Sequence, residues 1–243
     1  MRNLKYLKKF NESLNESLNN IDSICKKYGI INYIINGDGL IDVDGDVDLA
    51  YKGLSKLPLK FGSVSGNFYC QRNQLTSLWG APRSVGGNFD CYKNQLTSLW
   101  GAPESVDGDF DCHNNKLTTL EGAPRSVSRN FYCQDNQLTT LEGSPKSVGW
   151  GFYCNNNQLT SLWGAPKLVD GDFDCDNNQL ITLEGAPKSV GEDFYCRNNQ
   201  LTSLEGAPGL VGRDFYCDGN PVESIWKLFK DYSKVEILND YDV

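Results

Sequence analysis

Phe68-Tyr69-Cys70-Gln71-Arg72-Asn73-Gln74-Leu75-Thr76-Ser77-Leu78-Trp79-Gly80-Ala81-Pro82-Arg83-Ser84-Val85 is followed, three residues on, by Phe89-Asp90-Cys91-Tyr92-Lys93-Asn94-Gln95-Leu96-Thr97-Ser98-Leu99-Trp100-Gly101-Ala102-Pro103. The same unit returns until Cys217. With Cys25 set aside, the cysteines fall at 70, 91, 112, 133, 154, 175, 196 and 217, seven equal intervals of 21 residues. A fixed period of this length makes the chain a repeat array whose units stack on one another. One period earlier, Asp46-Val47-Asp48-Leu49 with Leu54, Leu57 and Val64 aligns as a degenerate first coil, Leu49 standing in the place of Cys.

Within each unit, Phe, then Tyr or Asp, then Cys alternates apolar, polar, apolar, which predicts a short strand with Phe and Cys inward and Tyr or Asp outward. Identical strands every 21 residues then form a parallel sheet at about 4.8 Å per coil. Leu96 and Leu99, with their equivalents, turn inward from the far side, and the Gly-Ala-Pro turn ends any regular element. Asn73, Asn94, Asn115, Asn136, Asn157, Asn178, Asn199 and Asn220 form an inner ladder that must satisfy backbone groups of adjoining turns, since a buried polar side chain needs partners.

Asn-Gln-Leu-Thr-Ser-Leu, intact at Asn73 to Leu78, Asn94 to Leu99, Asn157 to Leu162 and Asn199 to Leu204, is similar to the Asn-x-Leu-x-x-Leu signature of bacterial-type leucine-rich repeats. Units with Gly-Ala-Pro and a Phe-Tyr-Cys strand also resemble leucine-rich repeat proteins encoded by bacteria and their phages. The likeness covers roughly residues 44 to 225. It departs from the secreted bacterial effectors of that type in having Trp or Glu with Gly where they often have Leu-Pro. The large C-terminal ligase domain that some of them carry has no counterpart after Cys217. The resemblance implies partner binding without naming the partner.

The expected architecture is an α/β solenoid dominated by a parallel β-sheet, an array of about nine 21-residue coils with helical N-terminal and C-terminal caps. Residues 1–43 form the N-terminal helix and hairpin cap, 44–219 the solenoid and 220–243 the C-terminal helical cap. Leu4, Leu7, Leu14, Leu18, Ile21, Cys25 and Tyr28 make a helical stripe that Gly29 can end. Ile30 to Ile35 and Leu40 to Val43 flank Asn36-Gly37-Asp38-Gly39 as a hairpin. Asn220 can cap a helix with Pro221 at its first position, and Val222, Ile225, Trp226, Phe229 and Tyr232 share a face.

Composition narrows the function. The 243 residues carry 23 Lys and Arg against 31 Asp and Glu, a formal net charge of -8, which argues against coating a nucleic acid or an anionic membrane. A single His excludes metal sites built on two imidazoles and leaves nucleophilic catalysis one possible base. The basic N-terminus runs into Asn11-Glu12-Ser13 instead of an apolar stretch, and Gly29 to Ile35 is too short to cross a membrane. Without an export signal the expected compartment is the cytoplasm, where the ladder thiols are core filler and not disulfides.

Three groups of residues need weighing. Asp42, Asp44, Asp46 and Asp48 resemble a calcium loop, but the Gly comes too early and no Glu closes the spacing, so they read as outward carboxylates between inward Val43, Val47 and Leu49. Arg83, Arg125, Lys146, Lys167 and Lys188 could make a basic stripe, yet Glu121, Glu142 and Glu184 stand four residues before three of them and Trp79 and Trp163 before the other two. Local pairing is the preferred reading. The outward strand positions vary while the scaffold does not: Tyr69, Asp90, Asp111, Tyr132, Tyr153, Asp174, Tyr195 and Tyr216, with Tyr92, His113, Asp176 and Arg197 beside them. Tyr offers large contact area at low entropic cost, and Asp favours a basic partner.

The sequence therefore reads as a non-enzymatic scaffold that recognises a protein with a basic patch through its concave sheet, with no catalytic residue, metal or cofactor. A glycan-binding surface is the alternative. A structural component that self-associates through an exposed Trp79-Trp100 pair is a third reading.

Overall fold

The computed structural model of the chain describes residues 18–222. Residues 18–28 are helical, with Cys25 buried and Ile21, Ile24 and Tyr28 packed on the core. Gly29 ends this helix at φ +69°: the Ile30 N–H reaches the Cys25 carbonyl and the Gly29 N–H reaches that of Lys26, a Schellman stop. Leu4, Leu7 and Leu14 of the expected stripe lie outside the described residues. The hairpin forms as expected, β1 (Tyr33–Ile35) pairing antiparallel with β2 (Ile41–Val43).

From there the chain coils. β3 (Val47–Asp48), β4 (Phe61–Val64) and β5 (Phe68–Tyr69) begin two parallel ladders. One sheet has nine strands, from β3 to Phe215–Tyr216, each paired to the next coil in strict register, as in Phe131 opposite Phe110 and Tyr132 opposite Asp111. The other has ten: the hairpin, β4, and the Ser-Val or Leu-Val pairs from Ser84–Val85 to Leu210–Val211. The first sheet, with one strand in each of nine coils, follows the period-2 pattern of the sequence; the second does not. A two-residue strand with one inward Val has no periodicity to read. It becomes a strand only because a copy lies one coil away on each side.

Phe, Cys and both Leu positions of the inner coils are fully buried, and Phe68 to Phe215 stack with ring centroids 5.1–5.5 Å apart. Leu49 is equally buried in the first coil, where Cys stands later. Several thiols do more than fill space: the Cys133 Sγ donates to the Tyr153 carbonyl of the next coil at 3.3 Å, and Cys112, Cys175 and Cys196 do likewise.

The Asn ladder works as a stitch between coils. Asn157 Nδ2 donates to the Cys154 carbonyl of its own coil and to the Cys133 carbonyl of the preceding one, both at 3.1 Å, while Oδ1 accepts the Leu138 N–H at 3.0 Å. Asn220 closes the ladder with bonds to Cys196, Cys217 and Leu201. Pro221 and Val222 are helical, and the rest of the expected C-terminal helix, Ile225, Trp226, Phe229 and Tyr232, lies outside the described residues.

One residue before the ladder position the backbone turns left-handed, from Tyr51 at φ 57° (before Lys52) through Arg72, Lys93, Asn114 and Asp135 to Asn198 at φ 53° and Gly219. Asn, Asp and Gly tolerate that conformation, whereas Tyr51, Arg72 and Lys93 are strained there by about 1 kcal/mol each. The drift to Asn in the later coils has this backbone cause.

Candidate functional site: the outer face of the nine-stranded sheet

Strict register turns the outward strand positions into one continuous row, Tyr69, Asp90, Asp111, Tyr132, Tyr153, Asp174, Tyr195 and Tyr216, each beside the next. All are half-buried. Two residues on, past the inward Cys, runs a second row containing Tyr92, His113, Asp176 and Arg197, joined by Gln71, Gln134 and Asn155.

The two rows resolve into three groups. At one end the Arg72 guanidinium lies between the rings of Tyr51 and Tyr92, Tyr92 stacks on His113 at 4.6 Å, and His113 Nδ1 meets Asp111 Oδ1 at 2.6 Å. In the middle, Tyr132 and Tyr153 stack at 4.9 Å. At the other end Arg197 pairs with Asp176 at 2.7 Å and lies over both Tyr195 and Tyr216, which stack at 4.8 Å. Twelve of these residues lie on the expected rows, while Arg72 and Tyr51 join them from outside the strand pattern. Their left-handed backbone swings the side chains onto the rows, a step that strand alternation cannot show.

Neighbouring acids crowd the first row. Burial, and then Asp111 and Asp109, push the Asp90 carboxyl up to about 7, with His113 pulling the other way. Burial similarly raises Asp174 to about 6, assisted by Asp176 and Asp172 and opposed by the Asp176 N–H and Arg197. A carboxyl raised on folding contributes its stability in full below the unfolded value, near 3.9, and loses it as pH rises through 7. Asp90→Asn is therefore expected to stabilise the protein at pH 8 by about 1 kcal/mol, after allowance for solvent screening of this half-exposed group, with the gain fading by pH 4. Urea midpoints of both proteins at the two pH values check this, and a gain that grew towards acid would contradict it.

A second polar ladder borders the face. Asp46, Asn67, Asn88, Asp109, Asn130, Asp172 and Asp193 each accept the backbone N–H one coil ahead. Only Gly151 interrupts it, and Tyr153 lies over that glycine with its hydroxyl 3.2 Å from Asp172 Oδ2; a Cβ at Gly151 would stand 2.6 Å from the hydroxyl oxygen. This ladder also accounts for part of the acidic run near residue 44. Val43, Val47 and Leu49 point inward as expected, while Asp42, Asp44 and Asp46 accept bonds from Ser63, Ser65 and Asn67. The Asn36 amide, and then Ser63, hold the Asp42 carboxyl below its usual range. Among the described residues no group of His, Cys, Asp and Glu is arranged to hold a metal.

The turn edge departs from expectation. Arg125, Lys146 and Lys188 make no ion pair with Glu121, Glu142 or Glu184, and neither Arg83 nor Lys167 sits over Trp79 or Trp163. The Gly turn, at positive φ in each of these coils, separates the four-residue spacing that would bring the partners together in a helix. Trp79 and Trp100 are largely exposed, at 78% and 61%. No helix among the described residues is long and apolar enough to cross a membrane.

No family model matches the sequence, and no curated protein matches it. Among solved structures, YopM from Yersinia enterocolitica is 17% identical with a TM-score of 0.38. YopM from Yersinia pestis, described as a leucine-rich effector protein, is 22% identical with a TM-score of 0.42. Each alignment covers 72% of this chain, and 56% and 60% of the respective YopM chains, so the chain spans somewhat over half of their length. The coil itself, 21 residues with parallel strands in register, inward Leu and a bonded Asn ladder, is that of a leucine-rich repeat solenoid.

Proposed function

We propose that the chain is a non-enzymatic scaffold that binds a protein with a basic patch through the outer face of its nine-stranded sheet. The observation that carries this is the stacked Tyr132–Tyr153 pair, flanked in register by Asp111 and Asp174. Preassembled aromatic rings lose little entropy on binding, and flanking carboxylates steer a cationic partner. Asp90 and Asp174 add a proton linkage: a Lys or Arg docked beside them favours the ionised form, so affinity rises as pH increases from 6 to 8. The His113–Asp111 contact is read as part of this surface, because the cysteines beside it point into the core and offer no nucleophile. Burial raises the thiols from Cys70 to Cys196 far above their usual range, which suits unreactive packing in a reducing cytoplasm.

Tyr132→Ala with Tyr153→Ala should weaken a basic partner by about 2 kcal/mol per ring, roughly 30-fold each, while the lost stacking and the Tyr153–Asp172 bond lower the urea midpoint without unfolding the protein. Calorimetric titration of the partner into both proteins reads the effect. Unchanged affinity in a folded double variant would remove this face from consideration.

A further inference from the structure

The ten-stranded sheet opens at a single junction. Along its turn-side border, Arg83, Glu104, Arg125, Lys146, Lys188 and Gly209 each donate their N–H to the carbonyl one coil back. Lys167 makes no such bond to Lys146. On the other border Gly149 and Gly191 bond back to Val127 and Val169, and Asp170 makes no such bond to Val148. Pairing between these two coils shrinks to Val148 opposite Val169, where the neighbouring junctions hold two residue pairs. A groove of about 850 Å³ lies here, with Val127, Val148, Pro145, Pro166 and Leu168 among its apolar lining, Lys146 and Lys167 at one side and Asp170 among its remaining walls. Leu168, 59% exposed, stands where most coils carry Ser.

The same junction interrupts a row of like charges. Arg125, Lys146, Lys167 and Lys188 occupy equivalent positions in four consecutive coils, exposed and without an ion pair among the described residues. Coils stack about 4.8 Å apart, and cations at that spacing repel one another unless an anion lies across them.

We propose that this groove and its cation row form a second binding site, separate from the tyrosine face, that takes an extended acidic peptide segment of a partner. Peptide is the chemistry that meets every feature. Its backbone can bond the Lys167 N–H or the Lys146 carbonyl at the opened border, an apolar side chain can pack on the exposed Leu168, and carboxylates can lie along the lysines. A nucleic acid would supply the anions, but it would bring no aliphatic side chain to the groove and would meet Asp170 and a chain of net charge -8.

The test is fluorescence anisotropy with a labelled synthetic peptide alternating glutamate and leucine. Saturable binding is expected, weakened by added salt. It should fall at least about tenfold in Lys146→Gln with Lys167→Gln and stay unchanged in Lys116→Gln, whose amine lies beside Gln95 on another part of the coil. Replacing leucine by serine in the peptide should also weaken it. All three lysines are exposed, so the variants keep the fold, which circular dichroism verifies. Absence of saturable binding, or equal binding by the double variant, overturns the proposal. So does preferential binding of an oligothymidylate of equal charge, which would assign the row to nucleic acid. Because Tyr132→Ala with Tyr153→Ala leaves this groove intact, that variant should still bind the peptide, and failure of either site can be told from failure of the other.

Discussion

Asn157→Ala should destabilise the solenoid by about 2–3 kcal/mol, while Asn156→Ala, one residue away, should cost about 1 kcal/mol. The two side chains are chemically identical and differ in what they hold. Asn157 is 8% exposed, and removing its amide leaves the Leu138 N–H without a partner in an apolar interior, while the Cys133 and Cys154 carbonyls each lose one of two ladder bonds and keep those from Asn136 and Asn178. That orphan costs about 1–3 kcal/mol, less whatever an entering water restores, and the two lost bonds to carbonyls that stay satisfied add less. Asn156 is exposed and bonds only the Asp135 carboxylate, so its loss leaves mainly the strain of alanine at φ 54°. Urea unfolding of the two variants measures the difference. Equal losses would mean that the ladder is not what ties one coil to the next.

The second large effect is at the turn. Gly143→Ala should cost about 3 kcal/mol or more, because φ is +87° and a Cβ would stand 2.6 Å from the Glu121 nitrogen and 2.6 Å from the Leu120 carbonyl carbon. Those are backbone atoms of the preceding coil, and they can retreat only by parting two rungs of the stack. Gly209→Ala is the internal control. Its φ is not positive, and its added Cβ would meet a carbonyl oxygen at an ordinary 3.7 Å, so its cost should stay below about 0.5 kcal/mol. Similar costs at both glycines would contradict the close approach of coils at the Gly-Ala-Pro turn.

These two positions also mark how far the sequence alone could be read. The interior Asn was legible because it recurs in all eight coils from Asn73 to Asn220, and a recurring polar residue between inward Cys and inward Leu has to be bonded. The outer ladder of Asp46, Asn67, Asn88 and Asp109 was not, because Asn, Asp and once Gly share the position and the segment resembles a linker. Both residues serve equally, since only a side-chain oxygen is needed. The second sheet escaped for a related reason: a Ser-Val pair acquires its strand character from its neighbours and not from itself.

At the candidate face, alternation correctly put Tyr132, Tyr153, Asp111 and Asp174 on one side of the sheet. It could not reveal that Arg72 is clamped between two tyrosines or that Arg197 closes on Asp176, because both contacts join different coils through side chains whose reach is set by rotamer and backbone strain. The lysine row was misread for the opposite reason. Four-residue spacing suggests a pair on a helix, and the Gly turn is not one.

The central claim is that a basic protein docks on the tyrosine face, and the most direct measurement is quantitative capture from lysate of the source cell on three immobilised baits. The baits are the native chain, Tyr132→Ala with Tyr153→Ala, and Arg125→Glu with Lys146→Glu. A protein retained by the native chain and by the charge-reversed bait, lost from the tyrosine variant, and carrying a basic surface patch whose neutralisation abolishes binding to purified native chain, is the predicted result. A protein retained equally by the native and tyrosine-variant baits, with no other protein lost from the tyrosine variant, would contradict it.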